Sequence, residues 1–235
     1  MALRNKSKIA FIHPSGLTLG GTERWLQMIA ANLPKEEFEI DYFYSSGHSL
    51  VNHFGKSLPN QNVAYVDSSR EEYLKNNGVR LMPFKLLGRK VNSRDLKWID
   101  TNFWDVFDSS KYELIQTAKA GRWYPYYKLN NLIVEFVSLV CSPDLSPNIA
   151  HSIHLSNWQR QKWISQRPYG IPADVLLKKS SIIPIPTNLP NTKSDFRKEL
   201  NIPTNSIVCG FHQRNDENIF SKIPLKAFSR VFNHN

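Results

Sequence analysis

The stretch KIAFIHPSGLTLGGTERWLQMIAANL, residues 8–33, decides how the rest of the chain is read. It opens on IAFIH, a short apolar run that reads as a buried strand over residues 9–13. A glycine-bearing loop follows, and then ERWLQMIAANL, where Trp25, Ile29 and Leu33 recur four apart with Leu26 and Ala30 alongside. That spacing predicts a helix with one apolar face. Thr22 is placed to cap it, and Glu23 sets a negative charge in its first turn.

A strand, a glycine loop and a helix N-terminus together suit an anion. Gly20 and Gly21 let the backbone come close to a ligand, and the free N–H groups of the first turn point at it. The spacing is neither the Walker pattern, which needs GK[ST] where this chain has GGT, nor GxGxxG. The other reading is structural: two glycines that make a tight strand-to-helix turn.

Outward from this unit, apolar runs alternate with helical patterns. Strands are expected over residues 38–45, 78–84, 112–118 and 131–140, and again in IAHSIHLS. NWQRQKWISQ reads as a helix that Ser156 could cap. SSIIPIP, residues 180–186, is strand-like, but its two prolines forbid a central strand. Residues 47–111 are polar and irregular and read as an elaborated insertion. FRKELNI reads as a short helix, residues 206–211 as a strand and IPLKAFSRVF as a last helix. Near-continuous apolar strands alternating with helices predict an α/β fold: a Rossmann-like parallel sheet with helices on both faces. The first domain is placed at residues 1–186, a linker at 187–199, and the start of a second domain at 200–235. Roughly 40 residues past the linker cannot bury a core of their own, so the second domain is expected to be truncated.

Composition narrows the classes. Thirteen Phe, nine Tyr and six Trp supply a core that a disordered chain would lack. The formal charge of +10 favours anionic partners, although a generally basic surface explains it equally well. Cys141 and Cys209 stand far apart, which argues against a disulfide scaffold or a structural zinc site. The N-terminus has no apolar signal core, and no run approaches the ~18 residues of a membrane span. A cytoplasmic location is expected.

At four places the chain resembles the GT-B glycosyltransferases, in particular the large retaining family numbered four. GGTERWLQMIAANL is similar to the family's opening GG-small-E-R helix, and YELIQTAKAG to its fourth-strand segment. HLSNWQRQKWIS resembles its S-x-W-x-[KR] segment. SIIPIPTNLPNTKSDFRKELNIP followed by IVCGFHQRNDENIFSKIPLKAF resembles the stretch that enters the second domain.

This resemblance implies a glycosyltransferase, or its N-terminal, acceptor-side portion. Such an enzyme moves a sugar from a nucleotide-diphosphate sugar to a glycan or lipid-linked acceptor without a bound metal or other cofactor. It implies that Gly20, Gly21 and Thr22 meet the donor's sugar or diphosphate and that Arg214 clamps the diphosphate. A guanidinium fork suits phosphate oxygens. The family's second clamp, a lysine, is replaced here by Ile219, with Lys222 off register. Its acceptor-side histidine is absent from residues 133–140, leaving His13, His151 or His154 as substitutes. Its paired glutamates lie beyond Asn235, so no catalytic residue is assigned. The alternative is a non-catalytic module that holds a glycan or a partner subunit.

Other groups are weighed on their chemistry. Lys119 and Gly121 follow an apolar strand, and ligands of open α/β sheets bind at strand carboxyl ends, so with His13 and His154 they are candidates to line a cleft. The plainer reading is a solvated lysine beside a turn glycine. His151 and His154 fall on opposite faces of a strand, which disfavours a metal held by that pair. Trp158, Arg160, Lys162, Trp163 and Arg167 make a basic, aromatic helix. It suits either an anionic membrane surface, as a peripheral contact, or an ordinary core and rim. Glu135 and Asp144 are acids without a known separation. Neither GxSxG nor HExxH occurs, and nucleic-acid binding rests on charge alone.

Overall fold

The computed structural model describes residues 6–13, 16–18, 20–51, 57–62, 66–86, 101–118, 129–137, 149–166, 170–186, 195–208 and 223–232. The chain divides into two compact units, Met1–Thr187 and Asn188–Asn235.

The first unit is built on β1 (Ser7–His13), β2 (Phe38–Val51), β3 (Ser57–Asn62), β4 (Arg80–Leu86), β5 (Leu114–Ala118), β6 (Leu132–Val137), β7 (Ile149–His154) and β8 (Ser180–Ile182). Seven strands are parallel, in the order β4-β2-β1-β5-β6-β7-β8, while β3 folds back antiparallel on the far end of β2. Counting only the parallel strands in chain order gives 3-2-1-4-5-6-7. This is the doubly wound, Rossmann-like α/β order, whose direction reverses between β1 and β5. The expected fold class is observed.

Helices cover both faces. α1 (Gly21–Asn32) and α2 (Ser68–Asn76) close one core, in which Trp25, Leu26 and Leu74 are buried with Phe11, Tyr42 and Phe136. Trp25 stacks on Phe136 with ring centroids 4.0 Å apart. α3 (Phe103–Val106) closes the other face, where Phe43, Phe103, Phe107 and Tyr112 pack edge-on and stacked. α4 (Asn157–Ser165) and α5 (Ala173–Lys178) close a small third core around Trp163, Ile164 and Leu176. Ser156 caps α4, accepting from the Gln159 N–H, as expected.

Several sequence expectations need correction. Residues 47–111, read as irregular, hold β3, α2 and α3 as well as β4, the strand expected over 78–84, which is a regular member of the parallel sheet. α2 escaped the periodicity reading because Leu74 is its one buried side chain. Its start was nonetheless written in Asp67, which accepts from the Ser69 N–H, and its surface in the Glu71–Lys75 pair at i,i+4. β8 lies at the sheet's edge with Pro184 and Pro186 just beyond it, as their missing N–H groups require.

In the second unit α6 (Phe196–Glu199) and α7 (Ile223–Phe232) are helical. The strand expected at 206–211 is not formed in its described part, 206–208, and the rest lies outside the described residues.

At the amino ends of the strands, Asp41 of β2 is fully buried. Arg80 of β4 grips both its oxygens, Tyr112 donates to Oδ2 at 2.6 Å, and the Lys8 ammonium stands 3.8 Å away. Burial and the Asp41 carboxylate push the Tyr112 phenol far above its ordinary range, and bonding to Asp41 raises Arg80. The cluster joins β1, β2, β4 and the approach to β5 at one point.

Candidate functional site

Where neighbouring strands of an open parallel sheet run to opposite sides, their connections part and leave a crevice at the carboxyl ends. Here that point lies between β1 and β5, and the chain leaving β1 enters α1 beside it.

The loop is held from inside. Gly16 takes a left-handed backbone, φ +82°, which a side chain would strain. Leu17 is fully buried, bridges to Val66, and its carbonyl accepts from the Asp67 N–H at 2.9 Å. The Thr18 carbonyl accepts from Gln27 Nε2 at 3.2 Å. Gly20, with φ −59° and ψ 153°, is the N-cap of α1, and the Arg24 N–H bonds its carbonyl at 2.8 Å.

Thr22 therefore does not cap the helix; it lies within the first turn. No side chain makes the capping bond. A Cβ on Gly20 would collide with the Glu23 carboxylate, which lies against it, whereas one on Gly21 would find nothing within 4 Å among the described residues. The loop thus places Gly20, Gly21 and Thr22 together at the helix N-terminus beside the crevice.

Among the described residues, the remaining candidates do not converge on one point. His13 ends β1 and is fully buried; beside it in register is Tyr44, whose phenol is raised by burial and by Glu71. His154 ends β7 and is also fully buried. The pairings Ile12–Thr117, Thr117–Glu135 and Val137–His154 put His154 on the same face as Thr117 and Glu135, and His13 on the other. Three strand spacings, roughly 14 Å, separate the two histidines. Both nitrogens of His154 lack a hydrogen-bond partner among the described residues. Its ring lies 5.0 Å from that of Trp163, and burial, with Arg160 and His151 nearby, lowers its pKa to about 4. His151 bonds Ser181 Oγ at 2.7 Å on the half-buried side. Glu135 is buried within β6. Lys119, Gly121, Asp144, Arg214, Ile219 and Lys222 lie outside the described residues.

The basic, aromatic helix divides. Trp163 belongs to the core, and Arg160 bonds Ser180 Oγ and the carbonyls of Leu177 and Ser180. Trp158 stands in solvent with Lys162 over its ring at 5.0 Å. Among the described residues no group of three or more His, Cys, Asp or Glu could hold a metal, and no helix is long and apolar enough to cross a membrane.

Sequence reading missed Gln27 and Asp41. Gln27 is a polar residue amid the buried Trp25, Leu26 and Met28 of α1, and that break in the apolar face was its signal. Asp41 interrupts the apolar run of β2 in the same way.

The fold and this crevice define a Rossmann-like α/β domain. No family model, no curated protein and no solved structure matches the chain.

Proposed function

We propose that the chain forms the acceptor-side portion of a GT-B-type glycosyltransferase, whose first loop meets the diphosphate or sugar of a nucleotide-sugar donor. Gly21 carries this reading. It occupies the first turn of α1, where glycine costs stability relative to alanine, and among the described residues no atom lies within 4 Å of the side chain it lacks. Packing among the described residues does not call for a glycine there, and the backbone lies beside the switch-point crevice. A ligand approaching from outside gives the bare backbone a purpose.

The first-turn N–H groups and the helix dipole favour an anion. The Glu23 carboxylate lies beside this turn, and an arriving diphosphate would displace it. In the complete reaction the sugar passes to a hydroxyl of a glycan or lipid-linked acceptor. Charge growing on the departing nucleotide is offset by the helix N-terminus. Positioning of the two substrates supplies the rest of the rate.

Isothermal titration of the chain with UDP-, GDP- and ADP-linked sugars tests this. One donor class is expected to bind, and Gly21→Ala should weaken it at least tenfold without loss of stability. Release of nucleotide in the presence of an acceptor marks an enzyme, whereas binding without release marks a non-catalytic module. Failure of all three donors to bind would end the reading.

A further inference from the structure

We propose that Gln27 is a positioning residue for the loop between β1 and α1: it holds the Thr18 carbonyl turned into the protein, leaving the loop's outer side open to an anion. The proposal rests on the reading of this loop as a diphosphate site, but its structural half stands apart from that reading.

Gln27 is fully buried on the packed face of α1, flanked by the buried Trp25, Leu26 and Met28. An apolar side chain would fill that place without desolvating an amide. The amide is spent on one bond. Nε2 donates to the Thr18 carbonyl at 3.2 Å, while Oε1 has no hydrogen-bond partner among the described residues. Which end of an amide faces a carbonyl is fixed by chemistry, since only the NH2 can donate. A buried amide left half unsatisfied works against stability, so its one bond to the loop is what distinguishes it from leucine.

The neighbouring carbonyl is treated alike. Leu17 O accepts from the Asp67 N–H at 2.9 Å, and the Leu17 side chain is anchored in the core. Two consecutive carbonyl oxygens are thus engaged within the domain just before the helix N-terminus. A carbonyl facing the crevice would repel phosphate oxygens; engaged inward, neither does. Gly16, at φ +82°, lets the chain turn into this arrangement.

Gln27→Met keeps the length and removes the donor, and Gln27→Glu keeps the shape and, measured at a pH where it is ionised, leaves only acceptors. Amide hydrogen exchange on the full chain is expected to speed up at least tenfold across residues 16–22 in both variants, with β1 and the rest of α1 unchanged. Titration with UDP, GDP and inorganic pyrophosphate should show at least tenfold weaker binding of whichever probe the unmodified chain binds. Should both variants unfold, Gln27→Asn, which retains the amide but shortens its reach by one carbon, gives the same readout. Unchanged loop exchange in a folded variant overturns the proposal, as does an affinity that falls only with the folded fraction. If the unmodified chain binds none of the three probes, the diphosphate reading fails, and the exchange result alone decides whether Gln27 positions the loop.

Discussion

Replacing Gly21 by alanine adds a methyl group where no atom of the described residues lies within 4 Å, so helix propensity governs the outcome. Stability should rise by about 0.5–1 kcal/mol, read as a higher urea midpoint at an unchanged m-value. A lower midpoint would show that the position is packed. Gly20→Ala differs, because its methyl group displaces the flexible end of Glu23 and touches no rigid atom. Lys35 closes the other end of the same helix. Its ammonium donates to the carbonyls of Ala30, Ala31 and Leu33 at 2.9, 3.1 and 2.7 Å, and burial lowers its pKa. A cation at this end meets the negative pole of the helix.

At the scale of elements, His154 and Trp163 join β7 to α4 through an unbonded imidazole. Burial, then the charge of Arg160 on α4 and His151 on the other face of β7, disfavours a positive charge on it. As pH falls below 6.5 the unfolded chain takes up this proton, while the folded chain resists until about 4. The unfolded state binds more protons across that window, so stability falls between the two values and levels off below them, by about 3 kcal/mol in all. His154→Phe removes both the titration and the two orphaned nitrogens. It should be no less stable at pH 7 and lose correspondingly less on acidification. Urea melts at pH 7.5, 5.5 and 4.5 compare the two proteins, and parallel losses would refute the assignment.

For the whole molecule, the Asp41 cluster and the glycine loop occupy opposite ends of the sheet. Asp41→Ala strips Arg80 and Tyr112 of their shared acceptor. Removing one partner of a fully buried pair costs about 3–5 kcal/mol; with Arg80 half in water the cost here should be about 2 kcal/mol. Donor affinity of the fraction that stays folded should not change, since nothing in the cluster reaches the carboxyl ends. A selective loss of binding would show that the two ends are coupled.

The sequence by itself determined what depends on neighbours along the chain. Ile9 to His13 could only be a strand and Trp25 to Leu33 only a helix, because apolar period and length leave no other choice. Pro184 and Pro186 stop β8 from running on by lacking donors, and the odd separation of His151 and His154 put them on opposite faces. Only the tertiary structure decided the strand order, since pairing joins segments that no local pattern connects. It moved the α1 cap from Thr22 to Gly20, where the turn set by Gly16 and the buried Leu17 delivers the chain. It also showed that His13 and His154 do not share a site, because sheet register fixes faces across four strands at once. Gln27 and Asp41 look misplaced in a one-dimensional pattern. Their partners, Thr18 and the pair Arg80 and Tyr112, become neighbours only when the sheet and α1 close on one another.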